Sequence, residues 1–417
     1  MFFLVITFFL LTPLIGIIML ENGAPVGAIL VNFGTGYKNG ASIAYVLYLI
    51  AILFSFYLSK KFIKSLIAAN FKVKFHYNNE NFYKSSIIIL ALNSIFFLTI
   101  FYLFGGYRVL FLGMEKAVFR STLGFFGSLA YSVSFVFAPV LLSYLTLIYL
   151  NAKKKSITLI IANYLIVVLI GLCWGFKTSA LYAILPGLLV VFWKLNILKL
   201  ILLLVFTGSM LYGTATYFHP ELDINSLFMF LLARMTIFQG EVPWYIWDRV
   251  IIEDINVNYF KTLLAAFGGK SLEYIGNITR GANEEWISYN YGLILAQLCG
   301  YGDAGIETGS GVTGTVFSEG LIALGQYGFW VFGIIAGIVI RVSYELIDLS
   351  IKKNNSFMYS LFSVYFAFYV LSWLSSGGIV FLFHISTVVN IIICVFLLAL
   401  VRSLSSENFR HKTQNNN

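Results

Sequence analysis

The chain has 417 residues and a net charge of +9, yet only 11% of its residues are charged and 59% are apolar. Soluble domains carry about 25% charged residues, so the pair of soluble domains that this length would allow is excluded. The three cysteines, Cys173, Cys299 and Cys394, lie far apart. Their spacing predicts neither a disulfide framework nor a metal site.

Apolar runs recur along the chain at the length of about 20 residues that a membrane-spanning helix needs. We therefore predict an all-α polytopic membrane protein with about ten spans. In chain order the predicted spans cover residues 1–20, 41–59, 85–105, 126–150, 156–174, 178–193, 198–217, 313–340, 356–374 and 379–401. The first run lacks a basic N-terminal region and a small-residue cleavage site, so we expect it to be retained as a span.

These spans divide the chain into two bundles with one large loop between them. Residues 1–217 form the first bundle, residues 313–402 form the second, and residues 403–417 form a cytoplasmic tail. Residues 218–312 are polar and include several glycines and tryptophans. We expect short interfacial helices in this loop. A long loop of this kind predicts chemistry at the outer membrane–water boundary, on a substrate that is held in lipid at one end.

The distribution of lysine and arginine predicts the orientation. The segments on one side of the spans hold 17 basic and 4 acidic residues, and those on the other side hold 10 basic and 14 acidic residues. By the positive-inside rule, both termini are cytoplasmic and the long loop is outside. The basic charge thus follows from the topology, and it does not predict nucleic-acid binding.

The loop itself is acidic, with 11 carboxylates against five basic residues. A loop of this charge repels polyanions, so any anionic group must be bound by particular arginines. Arg234 is one candidate, because it interrupts an apolar segment that is too short to span easily. We expect an interfacial or re-entrant helix there, with Asp223 or Asn225 at its start and Gly240 at its end. The alternative is that Arg234 only extends to the lipid headgroups.

The next segment, from Glu241, is rich in aromatic residues. Pro243 is predicted to start a second short helix. Trp244 and Trp247 could stack on sugar faces or lie in the membrane interface. Asp248 and the following Arg249 point apart on a helix, so they form no pair with each other.

Other polar residues lie at the predicted outer ends of spans. Lys177 is the only charge in a very short turn, and Arg120 opens the fourth span. Glu319 lies just inside the eighth span, where a carboxylate predicts either a functional site or a polar contact between helices. Of the histidines, His219 is available to outside chemistry, whereas His384 is predicted to be a buried, bonded residue of the last span.

Four motifs resemble those of the Wzy family of O-antigen and capsule repeat-unit polymerases, and in order they cover most of the chain. They are Arg120-Ser-Thr-Leu-Gly124, Gly175-Phe-Lys177-Thr-Ser-Ala, the Arg234–Gln239 helix, and Glu319-Gly320 followed by Gly325 and Gly328. Two departures from the family pattern are present. Lys177 stands where many relatives carry arginine, and lysine lacks the fork with which arginine binds phosphate in a bidentate manner. The arginine–ten residues–glycine spacing of some members is not exact here, since the nearest match after Arg280 is Gly292, one residue too far.

The resemblance implies a glycosyltransferase of the bacterial inner membrane that polymerises undecaprenyl-pyrophosphate-linked oligosaccharides. It implies contacts with membrane lipid, a chain-length regulator and a flippase, and it implies no nucleic acid, cofactor or metal. Cations would stabilise the leaving pyrophosphate and a base would deprotonate the attacking hydroxyl. The implied catalytic residues are Arg234, Glu319, Glu241 and His219. The implied pyrophosphate- and sugar-binding residues are Arg120, Lys177, Arg280, Arg249, Trp244 and Trp247.

Three alternative functions differ from this polymerase, either in the acceptor of the glycan or in the class of protein. An O-antigen ligase shares the large outer loop and transfers the glycan to lipid A core. A flippase or other transporter is expected to show paired repeats and a charged central cavity, and no convincing repeat is present in the sequence. A dolichol-phosphate-type glycosyltransferase is expected to carry an acidic pair in its first outer loop, where residues 21–40 hold only Glu21.

The predicted topology can be tested by labelling single cysteines in intact cells. A cysteine at position 270 should react with a membrane-impermeant thiol reagent, because the long loop is predicted to be outside. A cysteine at position 72 should react only after the membrane is opened. The reverse pattern would contradict the predicted orientation.

Overall fold

The computed structural model contains only helices as regular elements in the part of the chain that it describes. The described residues are 2–25, 30, 33–70, 81–114, 119, 122–123, 127–174, 179–193, 223–253, 257–268, 284–300 and 312–405, with single positions between 201 and 221. The predicted all-helical class is confirmed for these residues.

Within the described residues, nine helices precede the predicted loop. They are α1 (Phe2–Glu21), α2 (Ala41–Leu58), α3 (Lys60–Asn70), α4 (Phe82–Leu98), α5 (Gly106–Phe111), α6 (Gly127–Ser132), α7 (Ala138–Asn151), α8 (Ile157–Leu172) and α9 (Ser179–Val191). A π-helical turn, Thr99–Leu103, extends α4, and another, Val133–Phe137, joins α6 to α7.

The rest of the described chain forms ten further helices. Five lie in the predicted loop: α10 (Ile224–Met235), α11 (Ile237–Ile252), α12 (Phe260–Leu264), α13 (Glu284–Ser288) and α14 (Tyr291–Leu298). Five follow it: α15 (Val316–Leu324), α16 (Gly328–Lys352), α17 (Ser356–Tyr365), α18 (Leu371–Ser376) and α19 (Ile385–Ser405). A π-helical turn, Phe366–Val370, joins α17 to α18, and a 3₁₀ turn, Ile379–Leu382, precedes α19.

Six helical segments of the described residues are long and apolar enough to cross a membrane. They are Ala41–Leu58, Phe82–Leu103, Leu129–Asn151, Val316–Lys352, Ser356–Ser376 and Ile379–Ser405. Shorter apolar helices cover Ile6–Glu21, Ile157–Leu172 and Ala180–Val191. The chain therefore has the character of a multi-pass membrane protein. The count of ten spans and the orientation stay predictions, and most of the predicted span 198–217 lies outside the described residues.

The predicted single helix over residues 313–340 is wrong in the structure. A 3₁₀ turn, Gly325–Tyr327, separates α15 from α16, and the two helices pack against each other. Gly320 and Gly328 make this possible, since a Cβ atom on Gly328 would lie 1.8 Å from the Gly320 carbonyl oxygen. Helix α16 then continues to Lys352, beyond the predicted end of the span.

In the structure, the residues from Arg341 to Lys352, which follow the predicted eighth span, also belong to α16. Arg341 lies inside the helix, is buried, and forms an ion pair with Glu345 one turn later. The Phe56 ring lies 4.9 Å from the guanidinium carbon. The charge is thus paired and covered by an aromatic side chain, which is what allows a helical arginine to be buried.

Helix α11 corrects two predictions about the loop. Gly240, predicted to end the preceding helix, lies inside α11, and Pro243 lies inside α11 instead of starting it. The reason is a close crossing with α1, because a Cβ atom on Gly240 would lie 2.6 Å from the Ile17 backbone nitrogen. The predicted cap at the start of the segment is confirmed, since Asp223 accepts a hydrogen bond from the Ser226 N–H, 3.1 Å away.

Candidate functional site

Glu319 lies in the first turn of α15, and its side chain is fully buried. The carboxylate of a buried glutamate is costly unless donors surround it. Trp373 of α18 donates from its indole nitrogen to Oε2 at 2.8 Å, and the Ile379 backbone N–H donates to Oε1 at 2.6 Å. The Tyr259 hydroxyl donates to Oε1 as well. Both oxygens of Glu319 therefore hold together three segments that are distant in sequence.

Tyr259 remains a donor because its phenol stays protonated. Burial first, and then the neighbouring Glu319 carboxylate, raise the pKa of the Tyr259 phenol above its ordinary value. Both causes act in the same direction, since the anionic phenolate would lose hydration and would face a like charge. The phenol therefore donates to the carboxylate throughout the physiological pH range.

Two glycines shape the turn that carries the Ile379 N–H. Gly377 and Gly378 have φ angles of +72° and +81°, a region that glycine adopts readily. A Cβ atom on Gly377 would also lie 2.4 Å from the Tyr291 ring. The turn therefore needs glycine for conformation and for space. It brings the backbone donor to Glu319.

A cavity of about 320 Å³ opens on the other side of this turn. Binding sites for small molecules typically measure about 300–1,000 Å³. The described residues that line the cavity are Thr262, Ala265, Trp286, Tyr289, Asn290, Tyr291, Gly292, Gly378, Val380, Phe381 and His384. Gly378 thus belongs to the cavity wall and adjoins the donor of Glu319, whereas Glu319 itself is not a lining residue.

The walls of the cavity come from both the predicted loop and the C-terminal bundle. Aromatic side chains are present on both sides, with Trp286, Tyr289 and Tyr291 on the loop side and Phe381 on the bundle side. The Lys261 ammonium lies 5.9 Å from the centre of the Tyr289 ring. The arrangement can bind a ring with an apolar face and polar edges, close to one cation.

His384 corrects a prediction from the sequence. It was expected to be buried within the last span, but it lies in the turn before α19, is partly exposed, and lines the cavity. Its Nδ1 atom accepts a hydrogen bond from the Ser386 backbone N–H at 3.1 Å. The error arose because the apolar run around His384 continues through the turn, so hydropathy alone does not reveal the break.

The structure places Arg234 on the exposed side of α10. Its guanidinium lies between two aromatic rings, 5.4 Å from the centre of Phe230 and 4.9 Å from that of Phe238. Arg234 forms no ion pair with another described residue. This exposed cation remains available to an anionic ligand, and its catalytic role stays a prediction.

The remaining described candidates lie on α11, away from the cavity wall. Glu241 is fully buried. Arg249 forms an ion pair with Glu253 at 2.7 Å. Trp244 is fully buried, whereas the partly buried Trp247 donates to the Asn39 backbone oxygen at 3.1 Å. Each of the four residues is therefore either buried or bonded to another residue. Their predicted catalytic and binding roles stay predictions.

Four other predicted site residues lie outside the described residues. They are Arg120, Lys177, His219 and Arg280. The residues that the sequence interpretation missed are Tyr259, Trp373 and those of the cavity wall. The paired glycines 377 and 378 before an apolar run were the one local signal of this turn.

The contacts of Glu319 predict that Glu319→Gln destabilises the protein. Each carboxylate oxygen accepts from a group that can only donate, so the amide nitrogen of glutamine faces such a donor in either orientation. We expect a loss of about 1–3 kcal/mol, the range for an unsatisfied buried group, measured as a lower melting temperature of the purified protein. Glu253→Gln is the matched control, because Glu253 is exposed. A Glu319→Gln protein as stable as the native one would contradict this account.

No protein-family model matches the chain, and neither a curated protein nor a solved structure matches it. No relative therefore assigns an activity to the cavity or to Glu319. The chemistry of the site has to be inferred from its own residues.

Proposed function

We propose that the chain polymerises undecaprenyl-pyrophosphate-linked oligosaccharide repeat units into O-antigen or capsular polysaccharide. The reaction would take place at the outer face of the bacterial inner membrane, with both termini of the chain in the cytoplasm. The observation that carries this proposal is the aromatic cavity between the predicted loop and the C-terminal bundle. In the predicted topology its loop side lies outside the membrane, as a substrate with its sugars in water and its lipid in the membrane requires.

The composition of the cavity wall supports a glycan as the ligand. Trp286, Tyr289 and Phe381 offer flat apolar faces, while Asn290 and His384 offer polar atoms. A sugar ring combines apolar C–H faces with polar hydroxyl edges. The apolar faces of the wall can pack against the first, and its polar atoms can bind the second. Aromatic side chains with an apolar body and a polar edge are well suited to such mixed surfaces.

The proposed reaction joins the acceptor hydroxyl oxygen to the anomeric carbon of the donor sugar. The bond from that carbon to the pyrophosphate oxygen breaks, and the undecaprenyl pyrophosphate leaves with the electron pair. A base takes the proton of the hydroxyl. Arg234 supports this reaction as an exposed cation on a short helix, since fixed positive charge stabilises a leaving phosphate. Arg120, Lys177 and Arg280 are proposed to supply further charge.

The predicted catalytic residues differ in whether they can act as the general base. Glu319 does not line the cavity, and its oxygens already accept three hydrogen bonds. We therefore assign Glu319 to positioning the wall of the site. Glu241 is fully buried and does not line the cavity either, so His219 remains the proposed base.

Deleting the gene tests the proposal against its alternatives. Mass spectrometry of intact glycolipids should detect single repeats on the surface lipid of the deletion strain, because only chain extension is lost. Loss of a ligase or a flippase would leave no repeats there. Normal polymer in the deletion strain would contradict a polymerase.

Variants of Arg234 test the role of its guanidinium in the same strain. Arg234→Ala should abolish chain extension at a normal protein level, and Arg234→Lys should reduce it, because lysine lacks the bidentate fork. Arg108→Ala is the matched control, since Arg108 is another arginine of a predicted outer segment. Full polymer length with Arg234→Lys would contradict a bidentate contact with phosphate.

A further inference from the structure

The hydrogen bonds of His384 determine which of its nitrogens carries the proton. The Ser386 backbone N–H can only donate, and it donates to Nδ1 at 3.1 Å. The Ser386 hydroxyl lies 2.7 Å from the same nitrogen and can donate to it as well. With Nδ1 accepting from Ser386, the neutral ring carries its hydrogen on Nε2. The Nε2 atom lies near Gly268, where a Cβ atom would be 3.9 Å from it, and the His384 ring is part of the cavity wall. In this tautomer His384 offers a donor, and no lone pair, at Nε2.

Asn290 is fixed in the same way on the opposite wall. It is the N-cap residue of α14, and its Oδ1 atom accepts a hydrogen bond from the Leu293 backbone N–H at 3.3 Å. The acceptor of this amide is therefore occupied by the cap. The amide nitrogen, with two N–H groups, remains for a ligand.

None of the described residues that line the cavity is acidic. The Lys261 ammonium is not part of the lining but lies over the Tyr289 ring, which is. The nearby Glu319 is not a lining residue, and its carboxylate oxygens are already occupied. Donors on the lining residues His384 and Asn290, with a cation beside Tyr289, complement a ligand that carries acceptors and negative charge.

We propose that this cavity binds an anionic group on a glycan, either the carboxylate of an acidic sugar or a phosphate ester. The Nε2–H of His384 and the amide of Asn290 donate to the anionic oxygens, and Lys261 neutralises the charge. The aromatic wall holds the sugar ring. The glycan part of this assignment rests on the proposed function. His384 is then a binding residue and not a general base.

Ligand binding to the purified full-length protein in detergent tests this proposal. The probes are glucuronate, glucose 1-phosphate and glucose, and the measurement is saturation-transfer NMR with titration. One hydrogen bond to a charged group contributes about 1.5–3 kcal/mol, so at least one anionic probe should bind roughly tenfold or more tightly than glucose. The tighter of the two anions identifies the source of the charge. Equal affinities for all three probes would overturn the anion site.

Substitutions of His384 separate the donor role from the role of a base. His384→Gln should retain binding of the anionic probe, because its amide nitrogen can replace Nε2–H, and His384→Leu should lose most of the preference over glucose. Lys261→Met should weaken the anionic probes alone. Lys84→Met is the matched control, since Lys84 is an exposed lysine on α4, outside the cavity. Unchanged preference in His384→Leu would overturn the assignment.

The binding measurement does not depend on polymer formation. Normal polymer in a deletion strain would contradict the proposed polymerase and leave the preference for anions intact. If the native protein shows no preference for anionic probes, the anion site is contradicted and the proposed polymerase is not affected. The two proposals can therefore fail separately.

Discussion

The burial of one carboxylate constrains the part of the structure around the cavity. Glu319 is fully buried, and an unpaired charge in such a place is costly. The cost is offset because Tyr259, Trp373 and the Ile379 backbone N–H all donate to it. The segment that carries Tyr259 is consequently joined to the helices that follow the predicted loop. The cavity forms where these elements meet.

Close helix crossings make this meeting possible. Gly320 and Gly328 let α15 fold back on α16, and Gly240 lets α11 cross α1 with backbone contact. Side chains at these positions would separate the helices and displace Glu319 from its donors. Small residues at crossings are common between membrane helices, because they allow backbones to pack closely. The site thus depends on contacts made some distance from the cavity itself.

The sequence predicted the helical class and many of the apolar segments, because hydropathy reports them directly. It also predicted the cap at Asp223, which depends only on residues three positions apart. It did not predict the break at Gly325–Tyr327 or the position of Gly240 inside a helix, since a glycine ends a helix or permits a crossing depending on distant partners. The partnership of Glu319 with Tyr259 spans 60 positions, and no local pattern encodes it.

Hydrogen exchange at the turn before α19 tests most directly whether Glu319 positions the cavity wall. The Ile379 amide donates to the carboxylate and should exchange slowly in the native protein, because exchange requires that bond to open. In Glu319→Leu, mass spectrometry should show faster exchange in the peptide that covers residues 377–382, with unchanged exchange in α2. Equal exchange of this peptide in the native protein and in Glu319→Leu would contradict the account.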